Sequence, residues 1–122
     1  MDKIRVLLVE DEPTLAMIIK DTLDGEEFEV ILAANGEEGL SRYREAKPDI
    51  IVTDIMMPKI DGFEFAQAVR TINRDIPIIF VTARDDFASK QRGFNSGIDD
   101  YMVKPIDLEE LLLRCLLYTS DA

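Results

Sequence analysis

Apolar residues along this chain gather in short continuous runs, separated by longer mixed stretches. Five runs have strand length: Ile4 to Val9, Phe28 to Ala33, Ile50 to Thr53, Ile78 to Val81, and the short Tyr101 to Val103. They are rich in Val and Ile and do not alternate with polar residues, the pattern of strands covered on both faces. Between them, apolar residues recur at helical spacing. Pro13 fits a first helical turn. Leu15, Ile18, Ile19 and Leu23 then form a stripe, and Gly25 offers a stop. Asn35 can cap a second helix, with Glu37 and Glu38 at its positive end. Asp61-Gly-Phe-Glu64 has the form of a capping box ahead of Phe65, Ala66, Val69 and Ile72. A fourth helix is predicted from about Asp85 to Ser96, ended by Gly97. A fifth starts at Asp107, with Leu108, Leu111, Leu112 and Cys115 as its apolar stripe.

Strand and helix thus alternate five times. This predicts an α/β fold: a doubly wound (βα)5 unit with a parallel five-stranded sheet, right-handed crossovers and helices on both faces. The rhythm favours the flavodoxin-like strand order 2-1-3-4-5. No linker, low-complexity segment or internal repeat interrupts the 122 residues, so 1–122 reads as one domain.

Charge narrows the range of partners. A net charge of −11 argues against direct contact with nucleic acid or an anionic membrane, which needs a basic face. It suits cations or basic partners. No apolar run approaches membrane-spanning length and no signal-peptide pattern opens the chain, so it reads as cytoplasmic. Cys115 is the only cysteine, which rules out an internal disulfide. There is no histidine, which excludes Ser-His-Asp and Cys-His catalysis and histidine-ligated zinc.

Candidate chemistry lies where the strands end. Glu10-Asp11-Glu12 follows the first strand, Asp54 the third, Thr82 and Ala83 the fourth, Lys104 and Pro105 the fifth. In an open α/β sheet, ligands bind beyond the carboxyl ends of the strands, where the strand order reverses. With order 2-1-3-4-5 that point lies between strands 1 and 3, where Glu10, Asp11 and Asp54 meet. Three crowded carboxylates need compensation. A hard divalent cation such as Mg2+ can supply it, and so can Lys104. The Thr82 hydroxyl and the Ala83 amide, the latter at a predicted helix start, add donors for an anion. Acid cluster, cation, lysine and donors together suit phosphoryl transfer, which relies on positioning and charge neutralisation. Asp54 is the nucleophile candidate, since a carboxylate can take phosphate as an acyl phosphate.

These stretches resemble the receiver domain of bacterial two-component response regulators. The resemblance covers residues 3 to about 114. It rests on Leu8-Val-Glu-Asp-Glu-Pro13, Asp54-Ile-Met-Met-Pro58 with Asp61-Gly62, Val81-Thr-Ala83, and Gly97-Ile-Asp-Asp-Tyr-Met-Val-Lys-Pro105. It implies that Asp54 accepts phosphate from a histidine kinase or phosphotransfer protein. Asp11 would ligate Mg2+ (or Mn2+) directly together with Asp54, Glu10 would act through water, and Met56 would offer its backbone carbonyl. Lys104 would contact the phosphate, and its bond to Pro105 is expected to be cis. Thr82 and Tyr101 match a switch pair whose rearrangement alters the helix 4–strand 5–helix 5 face. Lys90, Arg92, Asp99, Asp100, Glu110 and Arg114 resemble the charged homodimer face of the winged-helix transcription-factor subgroup. Residues 115–122 depart from the family pattern and are expected to be a truncation or non-native tail; Asp121 falls near an arginine used in dimer salt bridges, and the native protein would then carry an output domain.

Blander readings stand beside these. Asp61 and Asp107 read as helix caps, and Asp11 could cap the helix that Pro13 begins. Met56 and Met57 suit soft core filling. A dehalogenase-type phosphohydrolase would want an acid two residues after the nucleophile, where Met56 stands. A cofactor-binding flavodoxin-like module would want a glycine- or hydroxyl-rich loop after strand 1, where Glu-Asp-Glu-Pro stands. A phosphate-independent interaction module remains the alternative. On the leading reading the domain acts on itself and is not an enzyme turning over a metabolite.

Overall fold

The computed structural model describes residues 2–25 and 27–120. Asp121, and with it the expected tail contact, lies outside the described residues. Among the described residues five strands and five helices alternate: β1 Ile4–Val9, α1 Pro13–Leu23, β2 Phe28–Ala33, α2 Gly36–Ala46, β3 Ile50–Thr53, α3 Gly62–Ile72, β4 Ile78–Thr82, α4 Phe87–Asn95, β5 Asp100–Val103 and α5 Leu108–Tyr118. The strands form one parallel sheet of order β2-β1-β3-β4-β5, as the rhythm of the sequence predicts.

Strand alternation divides the core into two layers. Val6 and Leu8, Ile50 and Val52, and Ile79 and Val81 face α1 and α5, where Ile19, Leu23, Leu111 and Cys115 meet them. Leu7 and Val9, Ile51, and Ile78 and Phe80 face the other way, onto Phe63, Phe65, Ala66 and Val69 of α3, with Leu40 and Tyr43 of α2 at the margin. Each such Leu, Ile or Phe gains roughly 1.5–3 kcal/mol on full burial. These buried strands fix where their next residues emerge, and those residues build the site.

Several boundaries differ from the sequence reading, for local reasons. Helix α4 begins at Phe87 rather than near Asp85, because Asp86 caps it: its carboxylate accepts from the Ser89 amide at 2.8 Å and the Ser89 hydroxyl at 2.9 Å. Ala83 therefore lies in a loop four residues ahead of the helix, and its amide cannot draw on the helix dipole. Asp11 does not cap α1. Glu12 does, accepting from the amides of Thr14 and Leu15, which leaves the Asp11 carboxylate free of capping duty. Helix α1 stops at Leu23, before Gly25, with Asp24 as its C-cap. Ile18 and Ile72 belong to the predicted apolar stripes but sit 44% and 54% exposed. The Asp61–Glu64 capping box and the Asp107 cap are present as predicted. Helix α5 runs on to Tyr118, with Cys115 fully buried and Leu116 and Tyr118 packed against the core. Burial pushes the Cys115 thiol up to about 12. Among the described residues no helix is long and apolar enough to cross a membrane.

Candidate functional site

Three of the predicted site residues are each the first residue past a strand, and each stays tied to the neighbouring strand. The Asp54 amide donates to the Val9 carbonyl (3.1 Å), the Glu10 amide to the Ala33 carbonyl (3.0 Å), and the Lys104 amide to the Thr82 carbonyl (2.8 Å). The sheet ladder thus continues one residue into the site, giving side chains on β1, β3 and β5 a rigid base. Gly62 closes the far side. A Cβ there would stand 2.4 Å from the Asp54 carbonyl oxygen, so only glycine allows this approach.

Lys104 Nζ donates to Asp54 Oδ2 at 2.7 Å and to Glu10 Oε1 at 2.9 Å. The other Asp54 oxygen, Oδ1, accepts from the amides of Ile55 (2.6 Å) and Met56 (3.3 Å). Glu10 Oε2 accepts from the Glu12 amide at 3.1 Å. Glu10 and Asp54 are buried, and Asp11 is exposed at the rim. Burial raises the Glu10 pKa, although Lys104 and the Glu12 amide oppose it. Burial alone would lower the Lys104 pKa, but its bonds to Asp54 and Glu10 outweigh this and raise it. The lysine is therefore a fixed cation between two buried carboxylates.

Glu10, Asp11 and Asp54 each offer one carboxylate oxygen, and these three oxygens lie within 4.8 Å of one another. Ligands on opposite sides of a magnesium ion are about 4.2 Å apart. An all-oxygen donor set of nearly that spread fits a small hard divalent cation, so these residues can hold a metal ion. Met56 follows Asp54 by two residues, its side chain 61% exposed and its sulfur 3.9 Å from Arg84 Nη1.

On the opposite side, Thr82 is fully buried at the end of β4, and its hydroxyl oxygen accepts from the Arg84 amide at 3.4 Å. The Tyr101 ring packs edge-on against Phe80, with centroids 6.1 Å apart, and its hydroxyl donates to the Arg84 carbonyl at 2.7 Å. Burial raises the Tyr101 pKa. The Lys104–Pro105 bond is cis, as expected.

The charged residues of the α4–β5–α5 face all have contacts within the chain. Arg114 reaches Asp100 and pairs with Glu110 at 2.7 Å. Asp99 is held by Arg70 at 3.1 Å and accepts from the Ile78 amide at 2.8 Å. Lys90 pairs with Asp85 at 3.0 Å, and Arg92 lies 4.1 Å over the Phe63 ring. The roles of Arg70 and of the Arg84 carbonyl are absent from the sequence reading. Arg70 lies within α3 and donates to the Gly97 and Ile76 carbonyls as well as to Asp99, and the Arg84 carbonyl accepts from the Tyr101 hydroxyl; neither residue forms a motif, and only the fold brings these partners near.

The profile of the response regulator receiver domain matches residues 6–115. Among curated proteins, the transcriptional regulatory protein TrcR of Mycobacterium tuberculosis is 44% identical over 91% of this chain and 43% of its own length. RprY of Bacteroides fragilis is 42% identical over 93% of this chain and 48% of its own length. RpaA of Synechocystis, a DNA-binding master transcriptional regulator by name, is 37% identical over 96% of this chain and 50% of its own length. The chain spans about half the length of these relatives. Among solved structures, the Francisella response regulator 1452 receiver domain superposes with a TM-score of 0.88 at 32% identity, covering 94% of this chain and 95% of that one. The chemotaxis response regulator CheY4 of Vibrio cholerae gives 0.86 at 33% identity, covering 98% of this chain and 100% of that one. A matching profile over most of the chain, relatives this similar and one shared sheet order lead to a single assignment: this chain belongs to the response regulator receiver domain family, among relatives that are transcriptional regulators.

Proposed function

We propose that this chain is a phosphoacceptor signalling switch in which Asp54 receives a phosphoryl group from the phosphohistidine of a kinase or phosphotransfer protein. The observation that carries this reading is the convergence at Asp54: Lys104 on one oxygen, with Glu10 and Asp11 near enough to share a cation. In the transfer, an Asp54 carboxylate oxygen bonds to phosphorus as the donor's phosphorus–nitrogen bond breaks and its electron pair stays on the imidazole. Asp11 and Asp54 would hold Mg2+ (or Mn2+) directly with the Met56 backbone carbonyl, and Glu10 would act through a water. The ion would neutralise charge on the phosphoryl oxygens. Lys104 leaves Asp54 Oδ2 for one of those oxygens, and the Thr82 hydroxyl and Ala83 amide take others.

The Thr82 shift would act on the Arg84 loop, which the Thr82 hydroxyl and the Tyr101 hydroxyl both touch. Movement there would bias the packing of Tyr101 and so reshape the α4–β5–α5 face, a population shift set by the phosphate. That face would support a homodimer and control an output, in keeping with relatives named as transcriptional regulators. On this reading residues 1–122 form a single cytoplasmic receiver domain, with 115–122 atypical and the output domain beyond it. It contacts neither DNA nor membrane itself. Hydrolysis of its own acyl phosphate is slow, so it is a switch and not an enzyme of metabolism.

Incubation with acetyl phosphate and Mg2+ tests the proposal by intact mass. Wild type gains one phosphoryl group and Asp54→Ala gains none; equal gain by both overturns the assignment of Asp54.

A further inference from the structure

The loop from Ile55 to Asp61, between β3 and α3, is held at two places. Its far end is the Gly62 contact on Asp54. Near that end, Ile60 rests on α2. A Cβ at Gly36, the first residue of that helix, would stand 2.5 Å from the Ile60 carbonyl oxygen and 2.9 Å from the Ile60 Cβ. This is backbone against backbone, with no flexible side-chain tip to yield. Lys59 alongside has a φ of 74°, in the left-handed region that side chains rarely adopt. Its ammonium lies 3.6 Å from the Glu37 carboxylate on the first turn of α2. An exposed pair contributes little energy, but it lies across the same seam.

Helix α2 is the less yielding partner. Asn35 Oδ1 accepts from the Glu38 amide at 2.9 Å, fixing its first turn. One turn on, a Cβ at Gly39 would meet Phe65 at 3.0 Å and Val9 at 3.1 Å, so the helix sits hard on the core. The loop is freer, with Met56, Pro58 and Lys59 all exposed. A side chain at position 36 would therefore displace the loop before the helix.

We propose that Gly36 is a positioning residue for the metal site. The start of α2 is a buttress that sets the height of the Ile55–Asp61 loop, and with it the reach of the Met56 backbone carbonyl toward Asp11 and Asp54. Gly36 touches no reacting group; it acts through Ile60. This inference rests on the metal reading above.

Titration of the unphosphorylated chain with Mg2+, followed by calorimetry and by the amide NMR signals of residues 54–62, tests it. Gly36→Ala weakens Mg2+ binding about 10-fold, the scale of losing an outer-shell support. Ile60→Gly, which loosens the same contact from the loop side without crowding α2, also weakens it. Ala46→Gly destabilises α2 at its far end and leaves the affinity unchanged, although its melting temperature falls. Wild-type affinity in both folded Gly36→Ala and Ile60→Gly overturns the buttress while the metal site stands. Equal weakening in Ala46→Gly reduces the effect to a general loss of α2 and also overturns it. A wild type that binds no Mg2+ overturns the metal reading and this inference together.

Discussion

At the scale of single residues, Lys104 decides the character of the site. Its ammonium is the nearest positive group to two buried carboxylates. Removing one member of such a cluster is costly because it strands the others. Lys104→Ala should therefore lower stability by about 3 kcal/mol without a divalent cation, the low end for breaking a buried charge pair, and added Mg2+ should recover much of the loss. Urea unfolding with and without Mg2+ measures this; a variant indifferent to Mg2+ would contradict the shared-cation picture. Gly62 makes a different kind of demand. A methyl group there meets the Asp54 carbonyl oxygen and the Ile55 Cα at 2.4 and 2.7 Å. Gly62→Ala should cost about 1–3 kcal/mol, as overpacking does, and should depress acetyl-phosphate labelling because the crowded carbonyl belongs to Asp54 itself. Unchanged labelling would contradict that link. Asp54, Glu10, Asp11 and Lys104 were legible in the sequence because strand ends can be read there, and a parallel sheet brings strand ends together. The Arg84 carbonyl, which takes the Tyr101 hydroxyl, and the Gly36 contact on Ile60 were not, because a backbone group met across the fold leaves no residue-type signature.

At the scale of elements, caps decide where the helices begin, and the sequence leaves such positions ambiguous when several acids adjoin. Glu10-Asp11-Glu12 shows this. Any of the three could be read as a cap or a ligand. The chain assigns Glu12 to α1 and leaves Asp11 at the rim of the acid cluster. Asp85-Asp86 raises the same ambiguity at α4, and the structure resolves it with Asp86 as the cap, so the helix starts two residues later than predicted. Asp24 ties α1 to β2. Its carboxylate takes a hydrogen bond from Lys20 and another from the Val30 amide, and these hold its pKa below the ordinary 3.8. A depressed acid contributes stability above its unfolded value and loses it as pH falls through its folded one. Asp24→Asn should therefore cost about 1 kcal/mol or less at neutral pH, an exposed pair being screened. The gap from wild type should close as the pH drops below the ordinary aspartate value. A gap that persisted there in urea titrations would assign the effect to packing instead.

At the scale of the whole molecule, the layer order and strand order followed from hydrophobic rhythm alone, because a parallel sheet buried on both faces has few ways to be connected. What the rhythm could not give is which surface charges are free. All six charged residues of the α4–β5–α5 face have partners within the chain, so a homodimer must exchange contacts rather than fill vacancies. The unphosphorylated chain is accordingly expected to be monomeric and to dimerise on addition of beryllofluoride and Mg2+. Sedimentation velocity checks this, and a monomer under both conditions would contradict the dimer. After exposure to acetyl phosphate and Mg2+, borohydride reduction converts an aspartyl phosphate to homoserine, and peptide mass spectrometry finds where. The account predicts conversion at Asp54 alone, and only with the metal present; conversion at another carboxylate, or equal conversion without the metal, would contradict it.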